Sequence, residues 1–337
     1  MREGMFIKKN VDKWNEYQHS ETDNPDETAE RFITLVDDLS YAKTFYPQSK
    51  VTRWINGITA GIYQDIYKNR KEKYTRIFLF WKYELPLLFK KYHRILLFTF
   101  LLNVLIVAIG VFGSIKDESF MRAALPRGYV DMTEENISRG DPFGVYKSDN
   151  PFTMFIYIAM NNTFVATLMV IGGVTLGIFT LHAVWQNSLM LGAFQYIFFL
   201  HGLGIKSVMV IWIHGTLEIL SFVVAATAGF IIANGILFPG TYSRLASFKK
   251  SISDALKIMI VLVPIFIVAA FFESYVTHLM SETYTKGSSS GLPVWASAII
   301  LFLSLSFITW YFVIYPARLH RRGDKLKSGN LVHSSDS

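Results

Sequence analysis

Two ionisable side chains, His214 and Glu218, lie four residues apart in an apolar stretch that is long enough to cross a membrane. On a helix, this spacing puts both side chains on one face. A carboxylate inside a bilayer is costly, and one that is kept there usually binds an ion, a proton or a partner group. The alternative is that the pair satisfies itself and neighbouring helices and thereby fixes their packing. The sequence leaves both interpretations open.

Three asparagines, Asn161, Asn162 and Asn187, interrupt the same apolar region and extend the predicted intramembrane polar site, whether that site binds a ligand or is structural. Helix capping is an alternative role for the first two, because they precede a predicted span. A zinc hydrolase of the His-Glu-x-x-His type needs a second helical histidine, which the His-x-x-x-Glu spacing lacks. Three further histidines show no ligand-like spacing: His182, His201 and His278. We therefore predict no catalytic residue, no metal ligand and no cofactor.

The composition indicates a membrane protein. Of the 337 residues, 51% are hydrophobic and 15% aromatic, more than a soluble domain of this length usually carries. The formal net charge is +7, but the basic residues flank apolar stretches, as the positive-inside rule requires. We therefore expect contact with membrane lipid and no binding of nucleic acid. The chain has no cysteine, which excludes disulfides, thiolate metal sites and cysteine nucleophiles.

The apolar stretches predict an all-α fold, a polytopic membrane helix bundle with about six transmembrane helices. The predicted piece 188–200 is short for a crossing and could be re-entrant, which would change its neighbours as well. Basic residues before the first span, between the fourth and the fifth, and after the last predict cytoplasmic N- and C-termini. The predicted spans lie near 95–114, 163–184, 188–200, 206–237, 258–279 and 294–315.

The polar parts of the chain predict separate regions. Helical spacing of apolar residues predicts helices at 27–43 and 51–67, and an aromatic, lysine-rich stretch predicts an interfacial helix near 78–92. The first apolar span is expected to serve as the insertion signal, because no apolar signal segment precedes it. The predicted regions are a cytoplasmic helical region at 1–93, a transmembrane bundle at 94–317 with an outer loop at 115–150, and a cytoplasmic tail at 318–337.

Small residues in the apolar region predict close helix packing. One pair has the Gly-x-x-x-Gly spacing that lets two helices approach closely, within one chain or in a homodimer. The predicted packing glycines are Gly172, Gly173, Gly177, Gly192, Gly215 and Gly229.

Three short motifs together resemble a known family. They are Asn-Asn-x-x-Val-Ala at 161–166, Asn-x-x-x-Leu-Gly at 187–192 and His-Gly-x-x-Glu at 214–218. This series resembles the core of the stage II sporulation protein M family. The N-terminal part is similar to the longer members, and Ser188 stands where we would expect a glycine.

The resemblance implies a multi-pass protein of the bacterial inner membrane. In spore formers, members of the family act with cell-wall hydrolases as the membrane anchor of a peptidoglycan-remodelling complex. We therefore expect a non-enzymatic scaffold whose partners are other cell-envelope proteins, peptidoglycan hydrolases among them. The alternatives are a transporter or channel with a polar site around His214 and Glu218, and an intramembrane hydrolase that uses the same pair.

Overall fold

A computed structural model describes residues 2–20, 22, 24–67, 75–146, 150–286, 291–323, 325–327 and 330–332. The chain forms two compact units, Met1–Ile77 and Phe78–Ser337. The described residues are almost entirely helical, apart from an antiparallel hairpin of β1 (Lys325–Lys327) and β2 (Asn330–Val332). The predicted all-α class is confirmed.

Three helices form the first unit around its own core. Trp14, Leu35 and Ile55 are fully buried in this core, and the indole N–H of Trp14 donates to Asp38 over 2.8 Å. The hydrogen bond satisfies the polar atom of an otherwise apolar ring. The helices are α1 (Glu3–His19), α2 (Pro25–Phe45) and α3 (Lys50–Tyr67). Helices α2 and α3 match the predictions at 27–43 and 51–67.

Helix α4 spans the division between the two units, and the helices after it build the second unit. Wider π-helical turns connect α4 to α5, α12 to α13 and α14 to α15. In chain order these helices are α4 (Thr75–Leu79), α5 (Leu85–Lys91), α6 (His93–Lys116), α7 (Glu118–Ala124), α8 (Tyr129–Ser138), α9 (Pro151–Ile171), α10 (Ile178–Leu200), α11 (Gly204–Leu237), α12 (Arg244–Phe271), α13 (Thr277–Lys286), α14 (Val294–Thr309) and α15 (Tyr315–Arg321).

Five helical stretches of the described residues are long and apolar enough to cross a membrane. Helix α10 is not among them, although its 23 residues give it the length of a bilayer core. Its polar residues Gln186, Asn187 and Gln195 reduce its apolar character. The five stretches are His93–Lys116, Pro151–Thr175, Gly204–Leu237, Arg244–Tyr284 and Val294–Arg321.

The predicted bounds of the second and third spans, 163–184 and 188–200, are wrong. Helix α9 runs through the asparagine pair without a break, and the chain turns instead after it. There, Leu176 and Gly177 both adopt left-handed backbone conformations, with φ of 57° and 84°. A left-handed pair of residues stops a helix, and glycine adopts this conformation without steric cost. The short piece 188–200 is therefore the second half of α10.

In the segment predicted as an interfacial helix near 78–92, the second half is packed against protein, while Phe78 and Leu79 are exposed. Leu85, Leu88 and Phe89 belong to the main hydrophobic core of the second unit, whereas an interfacial helix turns its apolar face to lipid. At the two ends of α5, Glu84 just before the helix pairs with Lys257 and Lys91 in its last turn pairs with Asp254, each at 2.5 Å. These ion pairs fix α5 to the first half of α12. The compact units accordingly divide before this segment and not at residue 93.

The predicted outer loop at 115–150 contains two helices, α7 and α8. Arg122 on α7 contacts Glu118 on its own helix and Asp131 on α8, at 2.9 and 2.5 Å. Met121 and Val130 are buried in a small core that α10 shares. The segment is therefore folded onto the bundle.

Helix α11 lies at the centre of the bundle, where it contacts α6, α9, α10, α12 and α14. Glycines make this packing possible. A Cβ atom placed on Gly173 would lie 2.1 Å from the carbonyl oxygen of Gly229, and one on Gly229 would lie 2.4 Å from that of Met169. A Cβ on Gly192 would lie 2.4 Å from the carbonyl oxygen of Val107 on α6.

The other three predicted packing glycines differ in their roles. Gly172 packs against Thr180, whose backbone nitrogen would lie 2.9 Å from an added Cβ, and Gly177 forms the turn. For Gly215 the prediction is wrong, because an added Cβ would meet only Ile219, at 3.8 Å. The structure adds Gly235, where a Cβ would overlap Ser251 on α12 at 1.7 Å.

Gly173→Ala and Gly215→Ala form a matched pair that tests this packing. We expect Gly173→Ala to destabilise the bundle by about 1–3 kcal/mol, because the added methyl group overlaps a backbone oxygen. Gly215→Ala should unfold at or slightly above the wild-type temperature, since the position has room and alanine favours helix. Thermal unfolding in one detergent measures both. Equal midpoints for the two variants would contradict the assigned packing.

Candidate functional site

Three side chains from two parts of the chain form a cluster inside the bundle. His214 and Glu218 lie on one face of α11, and Glu273 lies in the π-helical turn that follows α12. Each offers an atom that could bind a metal ion, and these atoms all lie within 4.8 Å of one another. Nε2 of His214 is 4.0 Å from Oε1 of Glu273. The predicted pair of His214 and Glu218 is thus joined by a third ionisable residue, Glu273. The three residues belong to two of the five stretches that could cross a membrane.

Neighbouring polar groups hold the cluster in place. The amide nitrogen of Asn162 donates to a carboxyl oxygen of Glu218, and Nδ1 of His214 lies 2.9 Å from the hydroxyl oxygen of Thr277. A carboxyl oxygen of Glu218 and one of Glu273 lie within 4.8 Å of each other. Two negative charges this close and this deeply buried repel each other, so the pair shares a proton or binds a cation in its place.

A cavity of about 300 Å³ adjoins the cluster, and His214, Glu218 and Glu273 form part of its wall. Asn103 on α6 and Tyr129 on α8 line it as well. Burial, and to a smaller extent the negative charge of Glu273, raises the pKa of Tyr129 to about 12. The phenol therefore stays protonated at neutral pH. The cavity contains carboxyl, imidazole, amide and phenol groups within an otherwise apolar wall.

The predicted site residues lie in three different surroundings. His214, Glu218 and Asn162 meet in the cluster. Asn187 lines the cavity, while its amide donates to the carbonyl of Ala183 on its own helix. Asn161 lies on the exposed surface of α9 and does not join the group. Neither asparagine of the pair caps a helix, since α9 is capped by Asn150.

Glu273 is the functional candidate that the sequence analysis did not include. It is the only Asp, Glu, Lys or Arg in the predicted span 258–279, which by itself marks an intramembrane carboxylate. Because Glu273 lies in the last third of that span, its side chain could equally extend to the membrane surface. The neighbouring residues in the sequence do not distinguish an intramembrane carboxylate from a carboxylate at the surface. Among the described residues, the three other histidines of the apolar region are not part of this cluster.

Comparison with protein families identifies the class. The family described as Stage II sporulation protein M matches residues 95–278, which is more than half of the chain and includes the whole cluster. The chain belongs to this family, and the resemblance noted from the motifs is confirmed. A second family, described as Domain of unknown function (DUF8413), matches residues 4–68, the three helices of the first unit. The comparisons with curated proteins and with solved structures gave no match.

The asparagine pair offers a test of the cluster's internal contacts. In a double-mutant cycle, Asn162→Ala and Glu218→Ala should couple by roughly 0.5–2 kcal/mol, because the two side chains share a buried hydrogen bond. Asn161→Ala is the control, since that side chain is exposed, and its coupling to Glu218→Ala should be near zero. Stability against denaturant in detergent gives the four free energies. A larger coupling for Asn161 than for Asn162 would refute the assigned contact.

Proposed function

We propose that this protein binds a small cation inside the membrane and moves it across the bilayer. The observation that carries the proposal is the convergence of Glu218, Glu273 and His214 on one polar cavity within membrane-length helices. Carboxyl groups kept at this depth attract cations, and they recur along ion and proton pathways. The proposal takes the predicted alternative, a transporter, as the activity of this site.

The size of the cavity supports a hydrated ligand. A buried water needs about 10–15 Å³ of cavity volume. The cavity here has about 300 Å³, so several waters can enter with the cation. The amides of Asn103 and Asn187 and the phenol of Tyr129 provide further oxygen atoms along the wall. A polar, roomy cavity of this kind suits passage better than a self-satisfied structural pair.

The orientation that accompanies this proposal is the predicted one, with both termini in the cytoplasm of a bacterium and the bundle in its inner membrane. Its support is that basic stretches from three parts of the chain lie at one end of the bundle. Lys91 pairs with Asp254 in the first half of α12, and the hydroxyl of Tyr315 donates to the carbonyl of Lys82 over 2.9 Å. Basic residues collect on the cytoplasmic side of membrane proteins.

A second candidate function is the predicted non-enzymatic scaffold for a cell-envelope complex. The first unit supports it, because this unit has a hydrophobic core of its own and matches a family of its own. Its surface carries a groove lined by Trp54 and Arg53, with Gly57 and Gly61 along one side. Aromatic and arginine side chains are enriched where proteins bind each other. The expected partners are other envelope proteins, peptidoglycan hydrolases among them.

Cation flux into vesicles tests the transport proposal. Purified protein in liposomes should dissipate an imposed gradient of at least one tested cation, monitored by an ion-sensitive dye inside the vesicles. Glu218→Gln should reduce the flux to the level of empty vesicles, because it removes a carboxylate but keeps the size of the side chain. Asn161→Ala should keep the wild-type flux. Wild-type protein that carries neither protons nor metal cations in either direction would refute the proposal.

Affinity purification from native membranes in mild detergent tests the scaffold proposal. Gly57→Leu should fill the groove and release partners without destabilising the unit, because an added Cβ meets nothing within 4 Å. Gly4→Leu is a matched control on α1 with the same open space, and it should retain the partners. Glu218→Gln should retain them as well. If mass spectrometry finds identical partners with Gly57→Leu and wild type, the groove has no part in assembly.

A further inference from the structure

We infer that the cation is a divalent transition metal ion, bound by Nε2 of His214 and by one carboxyl oxygen each from Glu218 and Glu273. The inference rests on the proposed function, because it names the class of cation that the transport site takes. It goes beyond the proposed function by assigning the atoms that bind the ion. Three steps support it: the tautomer of the histidine, the spacing of the ligand atoms, and the chemistry of the ligand set.

Hydrogen bonds to Thr277 select the tautomer of His214. The hydroxyl of Thr277 lies 3.1 Å from the carbonyl oxygen of Phe272, to which it donates its single proton. It therefore accepts from Nδ1 of His214 at 2.9 Å, and Nδ1 carries the ring proton. The lone pair of the neutral imidazole then lies on Nε2, the nitrogen nearer to Glu273. In metal sites, a ligand histidine usually donates its other N–H to a neighbouring oxygen in this way.

The ligand atoms are close enough for one ion. Metal–nitrogen and metal–oxygen bonds of about 2.0–2.2 Å place neighbouring ligand atoms about 3–3.5 Å apart. The three atoms here lie within 4.8 Å of one another, and Nε2 of His214 lies 4.0 Å from Oε1 of Glu273. Closing this gap takes about 1 Å, which a change in carboxylate rotamers provides. Asn162 holds Glu218 as Thr277 holds His214, so each α11 ligand has a supporting partner.

The mixed ligand set selects the class of ion. Imidazole nitrogen suits zinc, iron, copper and nickel, and carboxylate oxygen suits manganese, whereas calcium and magnesium prefer sites built from oxygen alone. The chain has no cysteine, so the thiolate ligands that select softer ions are absent. Three protein ligands leave at least one coordination position for water from the adjoining cavity. An ion held this way can exchange, which fits a site that must release its cargo.

Metal titration of the chelator-treated full-length protein in detergent tests the inference. Zn²⁺ and Mn²⁺ should each be tested by calorimetry, with bound metal counted by mass spectrometry, and we expect about one ion per chain. Glu273→Gln should weaken binding at least tenfold while the protein stays monodisperse. Thr277→Val should weaken it about 10- to 100-fold through the histidine, and Thr277→Ser should restore it. Asn161→Ala should bind as wild type does.

The outcomes separate this inference from the proposed function. If wild-type protein binds neither metal but still carries protons or sodium in a Glu218-dependent way, the metal assignment is wrong and transport stands. If metal binds equally well to Glu273→Gln and His214→Ala, the ion lies elsewhere and the assignment is wrong. If there is neither binding nor flux, both proposals fail.

Discussion

The central constraint on this fold is that α11 carries ionisable side chains through the apolar interior of the bundle, away from bulk water. Inside a bilayer, a carboxyl group must find its hydrogen bonds within the protein. Neighbouring helices of the bundle cover α11, and Asn162, Thr277 and Glu273 supply the polar partners. Gly173 and Gly229 let the turn after α9 approach the backbone of α11 closely. The hydrogen bond between Asn162 and Glu218 joins α9 to α11 as well, so bundle packing and cluster geometry depend on the same pair of helices.

Much of this arrangement could be predicted from local sequence. Long apolar stretches and basic flanks give the class of fold, because each helix must span the bilayer core on its own residues. The helical spacing of His214 and Glu218 places both on one face whatever surrounds them. Helices α2 and α3 of the first unit were predictable for the same reason, because their apolar positions repeat with helical period, whereas α1 was not predicted. Each of these features depends only on the residues of a single helix, so it can be predicted without knowing the helix's neighbours.

The remaining features depend on contacts between distant parts of the chain. Asn162 is paired with Glu218, 56 residues away, so an amide that looked like a helix break lies inside α9. The turn comes instead from Leu176 and Gly177, whose backbone conformations the sequence only partly indicates. Similarly, α5 looked like a surface helix because its ion-pair partners on α12 lie more than 160 residues further along. No local pattern contains these pairings.

The central claim, that Glu218 on α11 and Glu273 in the turn after α12 lie side by side, can be tested directly because the sequence has no cysteine. Glu218→Cys and Glu273→Cys combined in one protein give a pair for a short bifunctional thiol reagent, read by mass spectrometry after proteolysis. The control pairs Glu273→Cys with Ile232→Cys, a buried position about 21 Å further along α11. The account predicts rapid cross-linking of the first pair and little of the second. Equal rates, or a faster control, would contradict it.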